Sequence, residues 1–123
     1  MAKKILLVED EIALASVYTA RLSAEGYEVE SVNDGQSAVT RAIQNQPDLI
    51  LLDIMIPKLS GIQVLKTLRE NPETKNIKVI MLTALSQDNY RSQAESMGIS
   101  GYLVKSQVVI FDVVNIVRGV LGS

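Results

Sequence analysis

The sequence has no cysteine, no histidine and no tryptophan, and Phe111 is its only phenylalanine. Without cysteine there is neither a disulfide nor a thiolate metal site, and without histidine no imidazole ligand, which excludes the usual zinc and copper centres. Any metal must then be a hard cation held by oxygen. Long apolar runs are missing too. Met1-Ala-Lys-Lys begins as a signal peptide does, but the apolar stretch Ile5 to Val8 is cut off by Glu9, far too short for a signal core or a membrane span. Nor does one sign of charge dominate. Fourteen acidic against 12 basic residues give a net charge of -2 with no basic run, which argues against nucleic acid as a direct partner. These absences imply a soluble, cytoplasmic protein with no membrane partner. Its 123 residues form one domain over 1–123, large enough to bury roughly two-thirds of the surface exposed by the unfolded chain.

What is present is organised around Asp48-Leu-Ile-Leu-Leu-Asp53-Ile-Met-Ile-Pro57. Leu49 to Leu52 is apolar without alternation, the pattern of a strand buried on both faces of a parallel sheet. Lys4-Ile-Leu-Leu-Val-Glu9 repeats it and ends in three acids, Glu9, Asp10 and Glu11. Tyr27 to Val32 alternates, as a strand nearer an edge does. Ile77 to Thr83 and Gly101 to Lys105 supply two more strands. Between them lie helical segments. Ile12 to Ala24 places Ile12, Leu14, Ala15, Val17, Tyr18 and Leu22 largely on one face and stops at Gly26. A second helix opens at Asn33-Asp34-Gly35, carries Ala38, Val39, Ala42 and Ile43, and ends at Pro47. A third has Ser60 as N-cap, then Ile62, Leu65 and Leu68, and ends at Asn71-Pro72. The polar segment Ser86 to Met97 is a fourth, and Val108 to Leu121, apolar nearly all round, is the fifth. Five strands alternating with five helices predict a doubly wound α/β sheet.

A parallel sheet brings the strand ends to one edge, where ligands of such folds bind. That edge would gather Glu9 and Asp10, Asp53, Thr83 and Lys105. Carboxylates crowded without histidine or cysteine repel, raise at least one pKa, and are relieved by a divalent cation preferring oxygen, which points to Mg²⁺. A cation, a lysine and a hydroxyl together suit the oxygens of a phosphoryl group, with a carboxylate as nucleophile. Two predictions follow from the crowding: Mg²⁺ raises the melting temperature, and neutralising Asp10 or Asp53 stabilises the metal-free protein.

With these residues the chain resembles, from about Lys4 to Leu121, a receiver domain of bacterial two-component response regulators of the single-domain, chemotaxis-regulator kind. The likeness is carried by Glu9-Asp10, by Asp53 followed by Pro57 and Gly61, by Thr83-Ala84, and by Lys105 with Tyr102 before it. It implies a flavodoxin-like five-stranded sheet of order 2-1-3-4-5, with Asp53 as phosphoacceptor for a histidine kinase or histidine phosphotransfer protein. It further implies Mg²⁺ on Glu9, Asp10, Asp53 and the Met55 carbonyl. Thr83 and Lys105 would hold phosphoryl oxygens, and Tyr102 would swing inward as Thr83 moves. Met55 and Leu85 stand where the family tunes the attack of water, and both are apolar, so slow self-dephosphorylation is expected. The chain would catalyse its own phosphorylation and slow dephosphorylation, with no metabolic turnover of a small molecule.

The family usually has proline after the strand-five lysine, but here Ser106 follows Lys105. A cis bond to a residue other than proline costs about 3–4 kcal/mol, so a trans peptide is expected, with Ser106 near the N-cap of the last helix. Rival classes fit less well. A haloacid-dehalogenase-type phosphatase would want an acid where Met55 stands, and a flavodoxin or dinucleotide site would not place Glu9-Asp10-Glu11 against phosphate. The remaining alternative is a receiver-fold interaction module that works without phosphorylation. In the last helix Asp112, Asn115 and Arg118 form a narrow polar strip. This predicts an apolar patch over helix four, strand five and helix five, to be probed at Val114 and Val117 and read by an output protein or by a second copy in a homodimer.

Overall fold

The computed structural model describes residues 2–122. In chain order the elements are β1 (Lys4–Val8), α1 (Ile12–Ala24), β2 (Glu28–Val32), α2 (Gly35–Asn45), β3 (Leu49–Leu52) and α3 (Gly61–Glu70). They continue with β4 (Lys78–Thr83), α4 (Asp88–Ser96), β5 (Gly101–Val104), a 3₁₀ turn (Lys105–Gln107) and α5 (Ile110–Leu121). The strands form one parallel sheet of order β2-β1-β3-β4-β5, the expected flavodoxin-like arrangement.

The unalternating strands are explained by what covers them. Successive side chains of a strand point to opposite faces. Leu6, Val8, Ile50, Leu52, Val79 and Met81 accordingly pack with Ala38, Ala42, Val64, Leu65, Leu68 and Ala94 of α2, α3 and α4. Ile5, Leu7, Leu49, Leu51, Ile80 and Leu82 face the other way, onto Ala15, Tyr18 and Leu22 of α1 and Val113, Val114 and Val117 of α5. Each fully buried aliphatic side chain contributes roughly 1.5–3 kcal/mol, so a central strand with no polar position stabilises both layers at once.

The helix ends follow their local chemistry. Asp34 caps α2, its Oδ1 accepting the Ser37 N–H at 2.7 Å. Ser60 caps α3 reciprocally with Gln63, through bonds of 3.2 and 2.9 Å. Gln46, in the left-handed region at φ 47°, closes α2 one residue before Pro47.

Several expectations need correction. Ile12 is 78% and Val17 54% exposed, so the buried stripe of α1 is Ala15, Tyr18 and Leu22 at i, i+3 and i+7. The fourth helix begins at Asp88 rather than Ser86, and α5 at Ile110 rather than Val108. Ser106 is not near the N-cap of α5. It lies inside the 3₁₀ turn, and the N-cap is Val109, whose N–H donates to Asp112 Oδ2 at 2.9 Å. No peptide among the described residues is cis, so Lys105–Ser106 is trans as expected. Finally, Val114 and Val117 of α5 are 1% and 0% exposed and belong to the core.

Candidate functional site

Register places the site. Val8, Leu52 and Met81 lie side by side, so the residues that follow them emerge at one edge. The ladder continues one step beyond the strands: Glu9 N–H donates to Val32 O at 3.0 Å and Asp53 N–H to Val8 O at 3.2 Å. Both acids therefore stand on backbone the sheet still holds. Behind Asp53 the start of α3 comes very close. A Cβ on Gly61 would lie 2.1 Å from the Asp53 carbonyl oxygen and 2.7 Å from Ile54 Cα, so only glycine permits this approach. The Gly61 N–H meanwhile donates to Ile54 O at 2.9 Å.

The side chains converge as the sequence implied, with one addition. Carboxylate oxygens of Glu9, Asp10 and Asp53 all lie within 4.8 Å of one another. Lys105 Nζ donates to Glu9 Oε1 at 2.6 Å and to Asp53 Oδ2 at 2.7 Å, bridging the two buried acids. The second oxygens are used as well: Glu9 Oε2 accepts the Glu11 N–H at 3.1 Å, and Asp53 Oδ1 the Met55 N–H at 3.2 Å. Asp10 is exposed. Burial raises the pKa of Glu9, against the opposing pull of Lys105. Burial of Lys105 disfavours its charge, but the hydrogen bonds to Asp53 and Glu9 outweigh that and raise its pKa. A cluster of three carboxylates with one lysine and no nitrogen or sulfur donor fits a hard divalent cation, and Mg²⁺ in particular.

Thr83 is buried at the end of β4, and its Oγ1 accepts the Leu85 N–H at 3.4 Å. Tyr102 is buried too, its hydroxyl donating to Leu85 O at 2.7 Å. Leu85 thus joins Thr83 to Tyr102 through its own peptide groups, a role its side chain could not announce. Arg91 of α4 covers the Tyr102 ring at 5.1 Å from the centroid. Met55 is exposed and Leu85 half-buried beside the site. The lysine bridge and the glycine contact were the features sequence reasoning missed. The only signal for the second was the Ser60-Gly61 pair at a set distance from Asp53.

The fold is a doubly wound parallel sheet with an acid triad, a hydroxyl and a lysine gathered at its carboxyl edge. Residues 5–114 match the model of the response regulator receiver domain, and the chain belongs to that family. It is therefore a receiver domain of two-component response regulators, a family that signals by phosphorylation. It is 41% identical over 105 residues to the phosphate regulon transcriptional regulatory protein PhoB of Rhizobium meliloti (strain 1021), covering 85% of this chain and 46% of that protein. It is 39% identical over 105 residues to the response regulator PleD of Caulobacter vibrioides (strain NA1000 / CB15N), covering 85% and 23%. The chain thus spans less than half the length of these curated relatives. Among solved structures, the receiver domain of sensor histidine kinase PA1611 from Pseudomonas aeruginosa PAO1 superposes with a TM-score of 0.88 at 31% identity, covering all of both chains. That structure has a magnesium ion coordinated in its active-site cleft. The Vibrio cholerae chemotaxis protein CheY4 gives a TM-score of 0.89 at 27% identity, covering 98% of this chain and 99% of that one. No helix among the described residues is long and apolar enough to cross a membrane.

Proposed function

We propose that this chain is a Mg²⁺-dependent phosphorylation switch in which Asp53 takes a phosphoryl group from a phosphohistidine of a histidine kinase or histidine phosphotransfer protein. One Asp53 oxygen forms the new P–O bond while the P–N bond to the imidazole breaks and the histidine leaves as donor. Glu9, Asp10 and Asp53, with the Met55 carbonyl, would hold Mg²⁺, which screens the carboxylates and the phosphoryl oxygens from each other. Thr83 and Lys105 take the remaining phosphoryl oxygens. The observation that carries this reading is the Lys105 bridge: one cation within 2.7 Å of both Glu9 and Asp53 is already aimed at the position where new negative charge arrives. Residues 1–123 contain no histidine, so the phosphoryl donor is a histidine outside them or a small phosphodonor. A cytoplasmic location suits such a donor. Exposed Ile12, Met55, Val109 and Phe111 follow shortly after the strand ends that carry Glu9, Asp53 and Lys105, and support docking of that partner around the site.

The test is incubation with Mg²⁺ and acetyl phosphate followed by intact-mass measurement. A single phosphoryl adduct that disappears in Asp53→Asn supports the switch. No adduct, or one that survives Asp53→Asn, favours the module that works without phosphorylation. With apolar Met55 and Leu85 flanking the site, the adduct should decay slowly, and Met55→Asn should shorten its lifetime by giving water a polar partner. An equal decay rate in that variant would count against the assignment.

For output, the surface of α4, β5 and α5 remains our assignment, with its chemistry revised. Polar side chains break up the expected apolar patch: Arg91, Glu95, Asp112, Asn115 and Arg118 are exposed, and Val109 and Phe111 are the large apolar side chains most exposed there, with Leu103 and Ile116 half-buried. A twofold dimer or output partner would therefore meet mixed charge. Substitution of Val114 or Val117 would break the core rather than probe this face, so Asn115→Trp and Arg118→Glu are the appropriate variants. Sedimentation with beryllofluoride and Mg²⁺ should show dimer for the parent and monomer for these variants. A monomer in every state excludes the homodimer.

A further inference from the structure

Helix α4 is held very unequally at its two ends. At its start Gln87 gives no side-chain cap, and residues 86–89 are exposed. Along its length only Ala94 is fully buried, with Tyr90 partly so. At its end the last carbonyls have no partner within the helix, and they carry the negative pole of its dipole. The helix has no basic residue of its own in the last turn. That role is filled from outside. Arg69, in the last turn of α3, donates from Nε to Met97 O at 3.0 Å and from Nη2 to Gly98 O at 2.8 Å.

The cost of placing Arg69 there is visible. Its Nη1 is buried without a hydrogen-bond partner, no ion pair to it occurs among the described residues, and burial lowers its pKa. A half-buried guanidinium with one nitrogen unpartnered and no carboxylate beside it is unfavourable unless its remaining hydrogen bonds offset the cost. The bonds it does make lie at the turn from α4 into β5: Gly98 takes φ +82°, and Ser100 N–H reaches Val79 O at 2.7 Å immediately before the strand bearing Tyr102.

We propose that Arg69 is a positioning residue that pins the end of α4 and the entry to β5, so that α4 opens from its start, where the chain leaves Thr83 and Leu85. The use of this hinge in signalling rests on the phosphorylation reading; the pin itself does not. In ordinary helices both ends fray. Here the order should be one-sided.

Amide hydrogen exchange of the unphosphorylated full chain tests this. The Met97 and Gly98 amides, bonded to Ala94 O and Glu95 O, should exchange more slowly than those of Tyr90 and Arg91, bonded to Gln87 O. In Arg69→Met the order should reverse, with Met97 and Gly98 accelerated by about tenfold or more, the size of a lost charge-assisted hydrogen bond. Arg69→Lys, which keeps a donor, should fall between, and it serves as the variant if Arg69→Met does not fold. Faster exchange at Met97 than at Tyr90 in the parent, or no change at Met97 and Gly98 in the variants, overturns the proposal. Addition of beryllofluoride and Mg²⁺ then reads the signalling use separately. Changes confined to residues 84–91 support the hinge, and equal changes through residue 98 overturn it. A failure of the phosphorylation reading shows instead as no response anywhere in 83–105.

Discussion

The two edges of the sheet handle charge in opposite ways. At the edge away from the site, cations meet partners supplied by the fold: Arg69 meets the carbonyls of Met97 and Gly98, Lys78 the Val120 carbonyl at 3.1 Å, and Arg118 the Glu25 carboxylate. These positions lie at the ends of α1, α3, α4 and α5, where positive charge complements the helix dipoles. At the site edge Glu9, Asp10 and Asp53 crowd together, and one cation, Lys105, bridges Glu9 and Asp53. The difference teaches that one edge meets its cations with groups of the fold itself, while the stability of the other depends on what binds there.

The sharpest way to break this comparison is Lys105→Met. It leaves Glu9 and Asp53, 3% and 4% exposed, facing each other without their cation. Removing one partner of a buried pair should cost about 3 kcal/mol in urea unfolding near neutral pH without Mg²⁺. Asp53→Asn in the same background should recover part of the loss. An unchanged midpoint would show that the two acids do not depend on Lys105. Next in size is the metal itself. Mg²⁺ at a hundredfold excess over its dissociation constant should stabilise the parent by about 2.7 kcal/mol, and much less in Asp10→Asn. That variant should also melt higher than the parent when metal-free. The same gain is no longer expected for Asp53→Asn, because the 2.7 Å bond to Lys105 already offsets the crowding there.

A smaller effect separates two acids near the same edge by the sign of their pH dependence. The folded pKa of Glu9 is raised above 4.5 by burial, so its contribution is present below that pH and is lost as pH rises through the folded value. Asp34 goes the other way. Its hydrogen bonds from Ser37 lower its pKa below 3.8, so its contribution is present above 3.8 and is lost as pH falls through the folded value. Thermal melts of metal-free protein across this range should show Glu9→Gln flattening the decline on the rising side and Asp34→Asn flattening the loss on the acid side. If both variants track the parent, the environments are misassigned. Least of all should Lys78→Met matter, since its exposed side chain makes one carbonyl bond; a change within about 0.5 kcal/mol is expected.

Much of this was legible in the residues, because buried parallel strands leave no room for ambiguity. Leu49 to Leu52 has no polar position, so it had to be covered on both faces, and the ends of such strands had to share an edge. That is why Glu9, Asp10, Asp53, Thr83 and Lys105 were found together. Less legible were properties set by atoms distant in sequence. Nothing near Lys105 says that its ammonium reaches Glu9, 96 positions away. Nor does anything near Arg69 point to carbonyls 28 and 29 positions on. Helix faces were misjudged where apolar residues ran nearly all round, so Ile12 and Val17 were placed inside and Val114 and Val117 outside. Thr74 was overlooked entirely, although it is fully buried and its hydroxyl donates to Leu68 O at 2.8 Å.

The strand order has a consequence for how the chain comes to be folded as it is synthesised. β1 is made first, and its two edges close in turn: the β2 edge once residue 32 has appeared, the β3 edge only after residue 52. One of its faces waits much longer to be finished: Ile5 and Leu7 share a layer with Ala15, Tyr18 and Leu22 of α1, and that layer is completed only by Val113, Val114 and Val117, from nearly the last helix turns made. Pairings of such long sequence separation form slowly and leave apolar surface open in the meantime. A ribosome carrying this chain therefore holds a sheet with one side covered by α1 alone until α5 is released, and truncations ending before residue 113 should be captured by chaperones or aggregate rather than survive as smaller domains.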